Sequence, residues 1–361
     1  MKCVILSKTK IVIINLIIYF LIFVFLTNSE ICISSITNST NIFLAKLLPS
    51  LLPYILLTEL IVELNLAENV TYGFTRIVCK IFRIPNCSAP TVIMGYLLGY
   101  PNAAKYISKL YLSKKINLET ANKLIKFTNN ASPAYIIGTV GIAMFNNISI
   151  GIILIISHFL SSILIGISST SNTTIIQQNN TISNSFDQIS FSFDRLLKCL
   201  FNSIKTLCII WGFTVIFSLI PTLIFTKLNL PIHILALLVG IFELSNGINM
   251  LASLSSNFTL SICLISFILS FSSLMVILQI YSFLYITGIK LSHLIYYKFL
   301  HGILSCIITF ILIKLFFNDS FIYVFSSIDN ITKSKPIPCI VYIFIAIITG
   351  FLLYLSTKKK R

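Results

Sequence analysis

Long apolar segments dominate this sequence and limit what it can fold into. A helix that crosses the core of a bilayer needs about 20 mostly apolar residues. Only 10% of the residues are charged, whereas a soluble domain carries about 25%. The sequence therefore predicts an all-α polytopic membrane protein with about eight transmembrane helices. The eight segments are 11–27, 43–66, 128–146, 148–167, 206–226, 259–288, 299–317 and 337–356.

Two further apolar segments, 88–104 and 231–253, carry Gly, Pro or Asn where a simple transmembrane helix would keep helix formers. Three basic residues stand just before the first segment and six lysines just after it. Because basic flanks stay in the cytoplasm, the segment is predicted to enter the membrane and return. The second segment has Lys227 before it and no Lys or Arg after it until Lys290, which predicts a re-entrant hairpin from the opposite face.

The distribution of the basic residues explains the net charge of +16. With both hairpins in place, 21 of the 26 Lys and Arg residues fall on cytoplasmic segments, and both termini are predicted to be cytoplasmic. Lys290 and Lys298 are counted together on one of these segments. The excess charge therefore indicates orientation in a lipid bilayer, and nucleic acid is not an expected partner. No small-x-small cleavage site follows Leu26, so a retained first span is predicted.

The order of the segments divides the chain into two similar halves. Because the two hairpins enter from opposite faces, the halves form an inverted repeat, as in secondary transporters. An amphipathic pattern at 193–204 also predicts a separate helix on the cytoplasmic surface. The predicted organisation is 1–42, an N-terminal span and outer loop; 43–167, the first repeat; 168–190, a polar linker; 191–290, the second repeat; and 291–361, C-terminal spans and a basic tail.

Four polar interruptions mark a candidate substrate site. Irregular backbone at membrane depth persists only inside protein or around a watery cavity, and the start of a broken helix offers free N–H groups to an anion. Taken singly, each interruption has a structural alternative as a kink, a close helix contact or a hydrogen bond between helices. The predicted substrate-binding residues are Gly99, Tyr100, Pro101, Asn102, Thr128, Asn129, Asn130, Ser132, Ser245, Asn246, Ser272 and Ser273.

Three carboxylates lie in apolar surroundings: Glu59, Glu63 and Glu243. An intramembrane carboxylate is a functional candidate by default. Glu243 lies at the bend of the second hairpin, where it either carries a proton or caps the neighbouring helix, and the sequence does not choose between them. Glu59 is the second candidate for ion coupling, whereas Glu63 is close to the cytoplasmic end of its span.

The sequence lacks the patterns of a metalloprotein or an enzyme. The four histidines have no metal-ligand spacing, and no two of the nine cysteines form a CxxC pair. HExxH, GxSxG and P-loop motifs do not occur. No cofactor, metal site or catalytic activity is therefore expected.

The interrupted segments resemble the sporulation integral membrane proteins of the YlbJ type, within the wider nucleoside-recognition (Gate) group of endospore-forming bacteria. The sequence departs from that pattern at two positions: Asn246 stands where a small or hydrophobic residue is expected, and Ala103 replaces a glycine-like position. The matching stretches are Leu48–Pro53 with Glu59, Gly99–Lys105, Phe127–Pro133, Gly240–Glu243 and Ser270–Ser273.

The resemblance implies a role in spore formation. It implies a transporter of dipicolinate, a small planar dianion, or of a similar anion, out of the mother-cell cytoplasm across the outer forespore membrane. Two alternatives stay open: a structural or assembly protein of the forespore envelope, and a nucleoside-type small-molecule transporter. The sequence also leaves a homo-oligomer open.

Overall fold

The computed structural model describes residues 25–64, 66–169, 192–225 and 228–316, apart from the side chains of 62, 66–73 and 316, together with residues 15, 19, 22 and 23. Every element in this part of the chain is helical. The α-helices are α1 (Ser29–Ile42), α2 (Leu48–Glu63), α3 (Leu66–Phe82), α4 (Ala89–Leu97), α5 (Asn102–Leu112), α6 (Leu118–Thr128), α7 (Ile148–Ser168), α8 (Phe193–Phe225), α9 (Ile232–Phe242), α10 (Leu244–Ala252), α11 (Phe258–Phe271), α12 (Ser273–Leu284) and α13 (Leu291–Phe316). Two π-helices, Phe43–Leu47 and Ala134–Met144, and two 3-10 turns, Asn86–Ser88 and Tyr285–Thr287, complete the set.

Within the described residues, five helical stretches are long and apolar enough to cross a membrane. They confirm the prediction of a polytopic helical membrane protein, whereas the count of eight stays a prediction. Most of the first predicted span, nearly all of the polar linker and the last span with its basic tail lie outside the described residues. The five stretches are Ser29–Ile61, Ile148–Ser168, Phe193–Phe225, Phe258–Thr287 and Leu291–Leu315.

The predicted outer loop before residue 43 is wrong, because α1 is helical from Ser29 and continues through a π-helical turn into α2. Serines and threonines make this stretch look like a loop. Inside an apolar helix, however, a hydroxyl bonds back to a carbonyl of the preceding turn, as Ser34 does to the carbonyl of Ile31 at 2.9 Å.

Two other helices are longer than predicted. The prediction of a separate surface helix at 193–204 is wrong, because α8 runs without a break for 33 residues. Its amphipathic first turns lead directly into the apolar span, and within α8 no Gly or Pro occurs before Gly212. α13 begins at Leu291 and not at 299, so Lys298 lies within the helix.

The helices break at the four places that the polar interruptions predict. Leu98–Pro101 separates α4 from α5, with Gly99 at a φ of +72°. Asn129–Pro133 separates α6 from the second π-helix, and Glu243 separates α9 from α10. α11 and α12 meet at Ser272, whose φ of +74° is uncommon for a residue with a side chain.

At two of these breaks the chain folds back on itself. A Cβ on Gly247 would overlap the backbone of Gly240, so α10 lies directly against α9. A Cβ on Gly95 would lie 3.2 Å from that of Ala103, which brings α4 against α5. Each pair is therefore a helical hairpin with a tight contact between its arms.

Hydroxyl groups join α7, α11 and α13 in the interior. Thr309 donates to Ser157 at 2.8 Å and lies 2.7 Å from Ser266, which in turn bonds Ser305 at 2.7 Å. All four side chains are buried. Small hydroxyl residues let transmembrane helices approach closely and bond to each other, and here they form one wall beside the interrupted segments.

Candidate functional site

The four helix breaks meet in the interior of the protein. The Tyr100 amide, at the tip of the first hairpin, donates to the Asn130 carbonyl at 2.8 Å. Tyr135 at the start of the second π-helix bonds Ser245 of the second hairpin at 3.1 Å. The predicted interruptions are therefore neighbours in space, although they are far apart in the sequence.

Lys298 of α13 joins two of the breaks. Its side chain is 2% exposed. The ammonium donates to the Asn129 carbonyl and to the Ser272 hydroxyl, the latter at 3.0 Å. Its Nζ also lies 6.0 Å from the centre of the Tyr100 ring. The assignment of Lys298 to a cytoplasmic segment is therefore wrong: its helix starts earlier than predicted and buries it between the breaks.

No carboxylate in the described part of the chain pairs with this buried ammonium. Among the described residues, one ion pair has an N–O distance within 4.0 Å, and it joins Lys198 to Glu63 at 2.8 Å near the surface. The hydrogen-bond partners of Lys298 among the described residues are both neutral oxygens. Because a buried charge without a counter-ion is costly, the position suits an anion that arrives from outside the chain.

Glu243 caps the second hairpin. Its two carboxylate oxygens accept hydrogen bonds from the backbone N–H groups of Ser245 at 3.0 Å and Asn246 at 2.7 Å. This is the capping geometry, one of the two alternatives that the sequence left open. The start of α10 is therefore occupied by the chain's own carboxylate, and the expectation that it offers free N–H groups to a substrate is wrong.

Several buried polar atoms at the breaks have no hydrogen-bond partner. Among the described residues, they are the Tyr100 hydroxyl, both side-chain amide atoms of Asn129 and the side-chain carbonyls of Asn130 and Asn246. The Asn246 amide nitrogen, by contrast, donates to Ser39 of α1 at 3.0 Å. Buried polar groups are nearly always satisfied, so these atoms offer both donors and acceptors to a ligand, and those of Tyr100 and Asn129 belong to residues beside Lys298.

Two histidines lie beside the break at Asn129–Pro133. The rings of His158 and His301 are 4.7 Å apart. His158 accepts at Nε2 from the Ala131 amide at 3.0 Å, so its other nitrogen carries the proton that reaches Ser270 at 2.7 Å. His301 bonds the His158 carbonyl at 2.9 Å. The pair fixes the backbone at the break, a grouping that the spacing of single histidines did not predict.

Other predicted binding residues make local contacts. The Thr128 hydroxyl bonds the Leu124 carbonyl at 2.9 Å. Ser132 accepts from the Tyr135 amide at 3.3 Å, and Asn102 donates weakly to the Leu98 carbonyl at 3.4 Å.

At the remaining predicted positions, the backbone shapes the turns. Ser273 follows Ser272 with a φ of +50°, so two successive residues are left-handed. Gly99 supplies the positive φ that the first turn requires, and a Cβ there would lie 2.8 Å from the Ser132 amide nitrogen. The peptide bond between Tyr100 and Pro101, which follow Gly99, is cis.

Glu59 lies away from this cluster. It is half-buried on α2 and close enough to Cys199 of α8 to interact with it electrostatically, as does Glu63. The hydrogen bonds of the site do not include Glu59 in the part of the chain that the structure describes.

Lys46, in the same long helical stretch, donates to Asn249 of α10 at 2.6 Å. This contact was also missed, because a lysine inside an apolar segment has no local signal that identifies its partner. Within the described ranges, no group of three or more His, Cys, Asp or Glu side chains is placed to hold a metal ion.

Comparison with known proteins agrees with the motif resemblance. The chain is 26% identical over 321 residues to the sporulation integral membrane protein YlbJ of Bacillus subtilis (strain 168), an alignment that covers 78% of each chain. No protein-family profile matches the sequence, and no solved structure matches it either. The similarity to YlbJ supports a YlbJ-type assignment.

Proposed function

We propose that this YlbJ-type sporulation membrane protein is a secondary transporter of a small anion. The substrate that fits best is dipicolinate or a similar planar dianion, moved out of the mother-cell cytoplasm across the outer forespore membrane. Transport, rather than catalysis, accounts for a polar site that the helix breaks build inside an apolar protein.

One observation carries the proposal: Lys298 is a fully buried ammonium that no carboxylate of the described chain approaches within 4.0 Å. A substrate carboxylate next to it would supply the missing counter-charge. Because charge interactions are strong in a desolvated site, this single residue would favour anions over neutral molecules of the same shape.

The unpartnered atoms around Lys298 would orient the substrate. The Asn129 amide nitrogen and the Tyr100 hydroxyl can donate to a second carboxylate, while the Tyr100 ring offers a flat face to an aromatic substrate. Asn246 adds a polar group from the second hairpin. Substrate recognition would therefore use both halves of the chain.

Alternating access follows from the two hairpins. We propose that both are re-entrant, that they enter from opposite faces and that the halves form an inverted repeat, with both termini in the cytoplasm. Lys298, Asn129, Asn130 and Glu243 are all at most 2% exposed, so the site is closed to solvent in this structure. Opening would require one hairpin to move away from the neighbouring break.

Coupling to an ion stays a prediction. Glu243 has both oxygens bonded to backbone N–H groups, which supports a fixed capping role more than a proton that comes and goes. If the transporter is coupled to protons through Glu243, uptake by Glu243→Gln vesicles would lose its dependence on a pH gradient.

A test in cells separates transport from the alternatives. We expect cells that lack the gene to accumulate dipicolinate in the mother cell and to have little in the spore. Low dipicolinate in both compartments would point to synthesis instead. Normal dipicolinate with a defective spore envelope would support the structural role, and altered nucleoside uptake would support the nucleoside-type transporter.

A further inference from the structure

A groove with an excess of positive charge lies where α6 approaches the start of α13. It encloses about 390 Å³. We call it the basic groove. Its charged and titratable lining residues are Glu119, Lys123, Lys126, Lys290 and His293. Three lysines against one glutamate leave the groove positive.

The contacts of its cations suit a site for a mobile anion. Lys123 is 2% exposed and donates to the Arg83 carbonyl at 3.1 Å. Burial lowers the pKa of this ammonium, and the charges of Arg83 and Lys126 lower it further, while Glu119 raises it. The ammonium of Lys126 lies 4.6 Å from the centre of the Tyr297 ring. Lys290 is exposed, so it is free to reach a soluble anion.

One wall of the groove also has an unsatisfied polar atom. The Nδ1 atom of His293 is buried and has no hydrogen-bond partner. The ring packs edge-on against Tyr297 at 4.8 Å between centres, which fixes its orientation. The groove therefore combines positive charge with a polar atom that lacks a partner.

The same two helices connect the groove to the central site. Asn129, directly after the end of α6, follows Lys126 by three residues, and along α13, Lys298 follows His293 by five residues. At a rise of about 1.5 Å per residue, these steps correspond to about 5 and about 8 Å. Along the axis of α13, the groove residue His293 is thus within two helical turns of the buried ammonium.

We propose that the basic groove captures a soluble small dianion and passes it to the site at Lys298. The inference rests on the proposed function, because it supplies the entrance for the same substrate. Its role is to raise the rate of association by electrostatic attraction. Lys298 holds the anion, whereas the groove delivers it.

The test compares charge removal inside and outside the groove. The purified protein is placed in nanodiscs of phosphatidylcholine, and dipicolinate binding is followed by surface plasmon resonance to obtain association and dissociation rates. Lys126→Gln with Lys290→Gln removes two groove charges. Lys114→Gln with Lys115→Gln removes two exposed charges just after α5 and serves as the control.

We expect the groove variant to associate about fivefold more slowly at low salt, with an unchanged dissociation rate, and the difference to disappear near 0.5 M salt, where the Debye length is only about 4 Å. The control should associate like the wild type. Equal rates for the groove variant and the control would overturn the proposal.

Lipid is the other source of an anionic group. If the groove variant differs from the wild type only in nanodiscs that contain phosphatidylglycerol, a lipid headgroup occupies the groove and the proposal is wrong. If the wild type binds no dipicolinate at all, the proposed function fails, and this inference with it. If the wild type binds dipicolinate and the groove variant associates at the same rate, only this inference is rejected and the proposed function stands.

Discussion

Replacing Lys298 with methionine is the sharpest change that the structure suggests. Methionine keeps most of the length and flexibility of the side chain but has no charge. The change removes the donor to the Asn129 carbonyl and the Ser272 hydroxyl. It also removes the buried positive charge that the account assigns to the substrate.

The expected loss of affinity follows from the charge. Two opposite charges about 4 Å apart at an effective dielectric constant of about 20 attract each other by about 4 kcal/mol. Since about 1.4 kcal/mol corresponds to a tenfold change in affinity, the variant should bind dipicolinate about a thousandfold more weakly.

Stability should change much less than binding. Removing a buried ammonium without a carboxylate partner relieves a desolvation penalty of several kcal/mol. Losing two hydrogen bonds to a charged donor costs about 1.5–3 kcal/mol each. These effects oppose each other, so we expect the free energy of unfolding to shift by less than about 2 kcal/mol.

The assay is isothermal titration calorimetry of dipicolinate into protein in neutral nanodiscs. Lys46→Met is the matched control, because Lys46 is also a lysine in an apolar stretch that donates to a neutral oxygen, the side-chain carbonyl of Asn249. Thermal unfolding of all three proteins checks that they are folded. If Lys298→Met binds as tightly as the wild type while folded, the assignment of the anion site is wrong.

The other predictions concern the turns and the hairpins. Tyr100→Phe should weaken dipicolinate binding about tenfold at unchanged melting temperature, because its hydroxyl has no partner among the described residues. Tyr135→Phe should instead lower the free energy of unfolding by about 1 kcal/mol, because it removes the bond to Ser245. The reverse ranking would contradict both assignments. Gly247→Ala should lower the free energy of unfolding by about 1–3 kcal/mol, because the added Cβ meets the backbone of the facing arm. Gly212→Ala should be neutral or stabilising, because its Cβ meets nothing within 4 Å. Glu243→Gln should lower the melting temperature and leave the pH dependence of uptake unchanged if the carboxylate is only a cap; loss of that dependence would assign it a proton.

The positions of the helix breaks could be predicted because their causes are local. Gly99 and Pro101 disfavour a continuous helix by their own backbone preferences. After Glu243, the polar and small residues Ser245, Asn246 and Gly247 interrupt the apolar run. These signals lie within a few residues of the break, so no tertiary information is needed to find them.

The chemistry of the site depends on contacts that the sequence does not display. Lys298 follows two tyrosines and precedes Phe299, an ordinary context for a lysine at a membrane surface. Its burial results from the early start of α13 and from packing against two distant breaks. One signal could have found it: Lys298 and His301 are three residues apart, which places two polar side chains on one face of an apolar helix.

The roles of the carboxylates were also beyond the sequence. Glu59 and Glu243 both stand in apolar surroundings, but Glu243 meets two backbone N–H groups, whereas Glu59 lies beside α8. Only the reversal of the chain at the second hairpin separates the two. Both carboxylates stand beside apolar residues, so hydrophobicity alone does not show which one caps a helix.

The central claim, that the breaks around Lys298 form a transport site for a small dianion, is tested most directly by uptake into vesicles. Proteoliposomes are loaded with terbium, whose luminescence rises when dipicolinate binds it, and dipicolinate is added outside. We predict saturable uptake by the wild-type protein, which a related dicarboxylate inhibits and which Lys298→Met vesicles lack. Uptake no faster than into protein-free vesicles, or equal in the wild type and Lys298→Met, would contradict the account.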